Sequence, residues 1–227
     1  MTTLTPPVVI PGQGRRIAFV GKGGTGKSTI IAHMLKHWNA SGIPASAMDA
    51  DEPGDEEKGS LLEWSDEADL GGPVYPAPNR SKVRDQLVKY TPESGLLAVD
   101  TGAWNRKAGN MHFAVLSGVD LAVLTLPPTR MEMNRAGSVL AAIDHLEEVG
   151  AHFPRLVICL TLTNASAKAA DTTYRDLTGG GFTVLKTRIP RVDKEDGYGQ
   201  SYGLEPPLVA GSPMDLLAAE LAKEAAA

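Results

Sequence analysis

The stretch Gly21-Lys22-Gly23-Gly24-Thr25-Gly26-Lys27-Ser28-Thr29 restricts the fold of this chain more than any other. It fits the phosphate-loop pattern G-x-x-x-x-G-K-[ST], with Gly21, Gly26, Lys27 and Ser28 at the fixed positions. Arg16 to Val20 before it reads as a buried strand. Ser28 to Asn39 after it reads as a helix, with Ile30, Ile31, Met34, Leu35 and Trp38 on its apolar side. Glycines let the backbone curl until successive N–H groups aim at one anion, and the following helix adds its positive N-terminal end. In such a loop Gly23 to Thr29 surround the phosphates. Lys27 reaches the β- and γ-phosphates, and the Ser28 hydroxyl joins a Mg²⁺ shell. A glycine-rich turn that binds nothing is the bland alternative. The lysine, the hydroxyl and the strand–loop–helix setting argue against it.

The rest of the chain repeats strand and helix. Strands are expected at Ala45 to Met48, around Val74-Tyr75, from Leu96 to Asp100, from Asp120 to Leu126, from Arg155 to Thr161 and from Phe182 to Leu185. Helices are expected over Arg80 to Tyr90, Arg106 to Leu116, Met131 to Val149, Lys168 to Leu177 and Asp215 to Lys223, with a short one starting near Leu61. This alternation predicts an α/β fold: a doubly wound, mainly parallel sheet flanked by helices, with its ligand at the carboxyl ends of the strands. Leu96-Leu97-Ala98-Val99-Asp100 is an apolar run closed by a carboxylate, which places Asp100 where it can hold Mg²⁺ or its water shell. The second strand delivers Asp49 and Asp51.

With 227 residues there is room for one such domain, assigned to 15–227, after a flexible or edge-lying lead-in over 1–14. The net charge of −5 argues against a surface coated for nucleic acid but leaves room for a local basic patch. Arg80, Lys82, Arg84 and Lys89 on one helix read either as a solvated face or as part of such a patch. No apolar run approaches the roughly 20 residues that span a bilayer. The N-terminus lacks the order of a signal peptide, and the single Cys159 forms no internal disulfide, which together predict a cytoplasmic chain. His33 and His37 are spaced i, i+4 without the glutamate of a zinc-protease motif and read as structural. The acidic run after Asp51 fails the calcium-loop pattern at Pro53 and Ser60. Cys159 alone cannot ligate an iron–sulfur cluster.

Lys22, a second lysine just after the first glycine, adds a resemblance. The sequence K-G-G-T-G-K-S-T resembles the deviant Walker A loop of the ParA/MinD family of P-loop ATPases, and the likeness covers most of residues 16–210. The resemblance implies that Lys22 reaches across an ATP-sandwich homodimer to the partner's nucleotide. It implies that Asp51 sets up the attacking water and that Lys22 and Lys27 stabilise developing charge. Ser28, Asp51 and Asp100 then serve Mg²⁺. Glu52 is inserted before Pro53 relative to the family's D-x-D-P, and Gly102 stands where the family has proline. Asn164, at the end of a later strand, matches a family asparagine that meets adenine; a turn asparagine is the plain alternative. The segment Thr187-Arg188-Ile189-Pro190-Arg191 resembles the family's I-P-R segment beside the base. By the same likeness Arg188, Arg191 and Lys194 are candidate DNA contacts, against a reading as solvated cations. The implied function is a small ParA-type partition ATPase without an N-terminal helix-turn-helix domain. It would bind DNA non-specifically when ATP-bound, associate with the nucleoid, hydrolyse ATP slowly, and answer to a centromere-binding adaptor. The last helix lacks the lysine-rich amphipathic face of a membrane switch. The alternatives are an ATPase that positions a protein cargo and a small-molecule kinase or ligase.

Overall fold

The computed structural model describes residues 4–5, 8–10, 12–51, 60–77, 79–104, 109–164, 168–192 and 197–227. Six strands form one sheet: β1 (Arg15–Val20), β2 (Ala45–Asp49), β3 (Val74–Pro76), β4 (Leu96–Asp100), β5 (Leu121–Leu126) and β6 (Arg155–Leu160). Their order is β3-β2-β4-β1-β5-β6, and each recorded pairing is parallel. Parallel neighbours need crossover connections, which the helices supply. These are α1 (Lys27–Ala40), α2 (Ser60–Glu67), α3 (Val83–Tyr90), α4 (Gly109–Leu116), α5 (Arg130–Glu148), α6 (Ala169–Gly179) and α7 (Pro213–Ala226).

The strand sequences explain this sandwich. β4 and β5 are buried along their whole length, so residues on both faces must be apolar rather than alternating. On one face Ile30, Ile31, Met34, Leu35 and Trp38 of α1 pack with Leu217 and Leu221 of α7 over β1 and β4. The Trp38 indole N–H donates to the Ala218 carbonyl at 2.8 Å, which ties α1 to α7. On the other face α5 covers β5 and β6, while α3 and α4 cover β2 and β4. Cys159 is buried in β6, and burial pushes its thiol up to about 12.

The strand order reverses direction at β1, which lies between β4 and β5. That is the switch point where open α/β sheets bind ligands. The register sets Asp49 of β2 beside Asp100 of β4, and Asp100 beside Phe19 of β1. Both carboxylates thus end their strands level with the start of the glycine loop.

Two local expectations change. Val184 makes only an isolated bridge to Ile158, so 182–185 is not a strand: the chain touches the sheet edge at one residue and leaves it. The third helix starts at Val83 rather than Arg80, because Lys82 N–H donates to the Asn79 carbonyl in a preceding turn. The first part of the fourth expected helix, 106–108, lies outside the described residues. In the lead-in, Ile10 is 3% exposed and the Thr5 hydroxyl donates to Asp215 at 3.0 Å.

His33 and His37 lie buried on α1; the His33 ring nitrogens have no hydrogen-bond partner among the described residues, while His37 Nδ1 lies 3.7 Å from Asp215 Oδ1. Burial, reinforced by the nearby His37, pulls His33 down to about 4. The unfolded chain binds this proton near the ordinary 6.5, whereas the folded chain resists it until about 4. Stability should therefore fall as pH drops from 6.5 towards 4, by up to about 3 kcal/mol from this residue. Urea titrations at neutral and mildly acidic pH should show His33→Leu losing less stability on acidification than the wild type. Equal losses would remove His33 from the acid response.

Candidate functional site

Gly21 leaves β1 at φ +150, and a Cβ there would meet Thr125 Oγ1 at 2.6 Å. Only glycine lets the loop pass this close to β5. The Thr25 hydroxyl donates to the Lys22 carbonyl at 2.9 Å and pairs with Thr125 Oγ1 at 2.7 Å, which pins the loop's turn to the sheet. α1 then begins with no side-chain cap and no acidic residue in its first turn; its cap position is Gly26 at φ 90. An uncapped, uncompensated helix start is the state in which an N-terminus can receive an anion.

The Lys27 ammonium is buried in this loop, at 6% exposure, and donates to the carbonyls of Gly21 at 3.3 Å and Lys22 at 3.2 Å. Burial lowers its pKa, against the pull of Asp100 and Asp51. The Ser28 hydroxyl donates to Asp100 Oδ2 at 2.5 Å and pairs with Ser60 Oγ at 2.9 Å. Asp100 is fully buried, and burial raises its pKa while Ser28, Lys27 and the Gly102 N–H oppose the shift. Asp51 lies against Gly102: a Cβ on Gly102 would fall 2.0 Å from Asp51 Oδ1. Beyond Gly102, the Trp104 N–H donates to the Gly21 carbonyl at 2.8 Å, so this second loop touches the first. The structure thus gathers Lys27, Ser28, Asp51 and Asp100 at one place. The hydroxyl and the two carboxylates are the hard oxygen donors that suit Mg²⁺. No cluster of three or more His, Cys, Asp or Glu able to hold a metal occurs among the described residues. That donor set fits an ion whose remaining ligands are water and phosphate oxygens.

Lys22 differs from Lys27. Its side chain is 51% exposed and its ammonium lies 3.4 Å from Glu132 Oε1 on α5. The two lines a cavity of about 550 Å³ together with Trp104, Thr125 and Ser138.

A second cavity, of about 430 Å³, opens beside Gly24 to Gly26 and Thr29. Its walls include Leu162, Ile189, Pro190, Arg191, Tyr198 and Gln200. Pro190 stands here, held by the Thr163 and Arg191 backbones pairing with each other and with Ile189. Asn164 is exposed and is not part of this lining. Leu162 takes its place at the end of β6, with φ 51, an uncommon conformation for a residue with a side chain. Arg188 bonds to Asp171 at 2.6 Å and lies over the Tyr174 ring at 5.4 Å. Arg191 is exposed, and Lys194 lies outside the described residues.

Asp49 does more than its D-x-D spacing indicates. It is buried, and its carboxylate accepts from the N–H groups of Asp51, Leu61 and Leu62, each at 3.0 Å. Burial, with Asp100 nearby, pushes it up to about 6 against those three donors. Asp49 therefore fixes both the backbone of Asp51 and the start of α2. From α2 the Trp64 indole donates to the Leu204 carbonyl at 2.7 Å, and the Tyr202 hydroxyl donates to Glu63 at 2.7 Å. So α2 joins the carboxylate end of the site to the loop that walls the second cavity. The D-x-D spacing was the available signal for Asp49; Tyr198 and Gln200 lie in a glycine-rich stretch with no motif.

No protein-family model and no curated protein sequence matches the chain. Solved structures do. The cell division ATPase MinD of Pyrococcus furiosus superposes with a TM-score of 0.63 at 18% identity, over 93% of this chain and 100% of that one. A plasmid partition protein of Borrelia burgdorferi B31, bound to AMPPNP, gives 0.65 at 12% identity over 92% and 99%. Cobyrinic acid a,c-diamide synthase of Mycobacterium smegmatis, with bound ADP and magnesium, gives 0.62 at 17% identity over 84% and 91%. A glycine loop on the central strand of a parallel sheet, two strand-end carboxylates beside it and these superpositions agree: the chain has the fold of the ParA/MinD-type P-loop ATPases.

Proposed function

We propose that this chain is a ParA-type partition ATPase: it binds ATP with Mg²⁺, closes a homodimer, binds DNA without sequence preference and hydrolyses ATP slowly when a cargo-bound adaptor stimulates it. The observation that carries the reading is the division of labour between two lysines on one loop. Lys27 is buried among the loop carbonyls, while the Lys22 side chain stands half exposed at the mouth, its ammonium against Glu132.

The residues would act as follows. The N–H groups of Gly23 to Thr29 and the start of α1 bind the phosphates, with the base in the cavity beside Pro190. Lys27 supplies positive charge to the β- and γ-phosphates as charge moves between them. Ser28, Asp51 and Asp100 would hold Mg²⁺, which when bound neutralises charge on the phosphate oxygens. Asp51, seated on Gly102, orients the attacking water and accepts its hydrogen bond at Oδ1 or Oδ2. Lys22 leaves Glu132 and reaches the partner protomer's nucleotide. Arg191, Arg188 and Lys194 are the proposed phosphate-backbone contacts; Arg188 would first have to part from Asp171. No helix among the described residues is long and apolar enough to cross a membrane. The nucleoid, reached through ATP-dependent DNA binding, is the proposed location.

A second reading has a specific observation behind it. The cavity of about 550 Å³ beside Lys22 and Glu132 has room for a small phosphoryl or adenylyl acceptor, as a kinase or ligase would need. One comparison separates the two. Light scattering and binding to random duplex DNA are followed with ATP, ADP or no nucleotide, at low and moderate salt. The partition reading expects dimers and DNA binding with ATP only, with binding weakening steeply as salt rises. It also expects Lys22→Ala to keep ATP binding, stay monomeric and lose DNA affinity by at least about tenfold, the cost of one protomer's patch acting without the other. A monomer that binds ATP but no DNA would favour the acceptor reading.

A further inference from the structure

We propose that Tyr198 is the specificity-determining wall of the cavity beside the phosphate loop, and that its ring selects a planar heteroaromatic base over a bare polyphosphate. The proposal rests on the reading of that loop as an ATP site.

Tyr198 opens a single 3-10 turn, Tyr198–Gln200. The turn is closely packed. Gln200 N–H donates to the Gly197 carbonyl at 3.0 Å, and the Ser201 hydroxyl donates to the Tyr198 carbonyl at 2.7 Å. A Cβ on Gly197 would lie 2.1 Å from the Val192 carbonyl oxygen, so the chain has little freedom to slide. Tyr198, with Val192 and Met214, lines two cavities at once: the one of about 430 Å³ beside Gly24 to Gly26, and one of about 310 Å³ that His33 also lines. These shared residues form the partition between them.

His33 holds that partition. The two rings lie 5.4 Å apart between centroids, with planes at 81°. His33 is 1% exposed, and neither of its ring nitrogens has a hydrogen-bond partner. A buried polar group left unmatched is a cost to the fold. What the imidazole does contribute is a rigid edge-on contact that fixes the tyrosine. The same cavity is also lined by Leu162, Ile189 and Pro190, which are apolar. A cavity lined by an aromatic residue and aliphatic side chains suits a flat π-system, and stacking on an aromatic residue is indifferent to which atoms edge the ring. His33 is therefore a positioning residue and Tyr198 the one that would touch the base.

The test titrates the full chain by calorimetry with Mg-ATP and with Mg-tripolyphosphate, in the wild type, Tyr198→Ala and Tyr198→Phe. We expect Tyr198→Ala to weaken ATP binding by about 10- to 100-fold, the usual range for losing one base–aromatic stack. Tripolyphosphate affinity should stay unchanged, and Tyr198→Phe should bind ATP as the wild type does. If Tyr198→Ala does not fold, Tyr198→Leu keeps the bulk without the π-face and should show the same split. Unchanged ATP affinity in the alanine or leucine variant overturns the proposal. So does an equal loss for both ligands, which would make Tyr198 a general support of the loop. Wild type binding ATP no more tightly than tripolyphosphate would also overturn it, while the phosphate-loop reading stood. Wild type that binds neither would instead sink the phosphate-loop reading.

Discussion

Lys27→Ala should abolish measurable ATP binding while the chain still folds. The ammonium is the one buried cation at the loop; it donates to the Gly21 and Lys22 carbonyls and faces Asp100 and Asp51 electrostatically. With ATP bound it would serve two phosphates, and hydrogen bonds to charged groups contribute about 1.5–3 kcal/mol each. Losing even one such pair costs about 100-fold in affinity. The fold should survive because burying the lysine is itself unfavourable, as its lowered pKa reflects. Titration with a fluorescent ATP analogue, beside a thermal melt, checks both halves. ATP affinity within threefold of wild type would remove Lys27 from the site. A collapsed melt would show that its main work is to neutralise Asp100.

Gly102→Ala should cut ATP turnover by about 100-fold with ATP affinity little changed, because a misplacement of about 1 Å near a reacting group costs that much. The residue sits at φ +67, and an added Cβ would overlap Asp51 Oδ1 at 2.0 Å. Alanine pays about 1–2 kcal/mol for the left-handed conformation. The clash then drives Asp51 away from Ser28 and Asp100. Asp51→Ala is the matched control: it should lose turnover to the same degree without the stability loss, and accumulate as an ATP-bound dimer. Steady-state phosphate release, with a melt on each variant, reads both. Gly102→Ala turning over like wild type would detach Asp51 from the chemistry. The family-like proline at this position would face the same φ conflict, since its ring fixes φ near −65°. The glycine and its seat for Asp51 are therefore features of this chain as a unit.

The division between what was legible and what was not follows the range of the interactions. The phosphate loop could be read because its demands are local: glycines where φ is positive or a neighbour crowds, then a lysine and a hydroxyl at fixed spacing before a helix. The parallel sheet could be read because strands buried on both faces are apolar throughout and alternate with amphipathic helices. Asp100 was legible as the polar end of such a run. Asp49 was visible only as part of a pattern. That it accepts three backbone N–H groups depends on β2 lying beside β4 and on α2 returning over it. The Lys22 contact with Glu132 joins residues 110 apart in sequence. The second cavity is walled by Leu162 and Tyr198 rather than Asn164, because the backbone turns at positive φ just after β6 and the 198–200 turn folds back against α1. Periodicity and spacing report the conformation of a segment. Which segments meet depends on strand order and on the burial of faces shared between distant elements, and only the folded chain decides that.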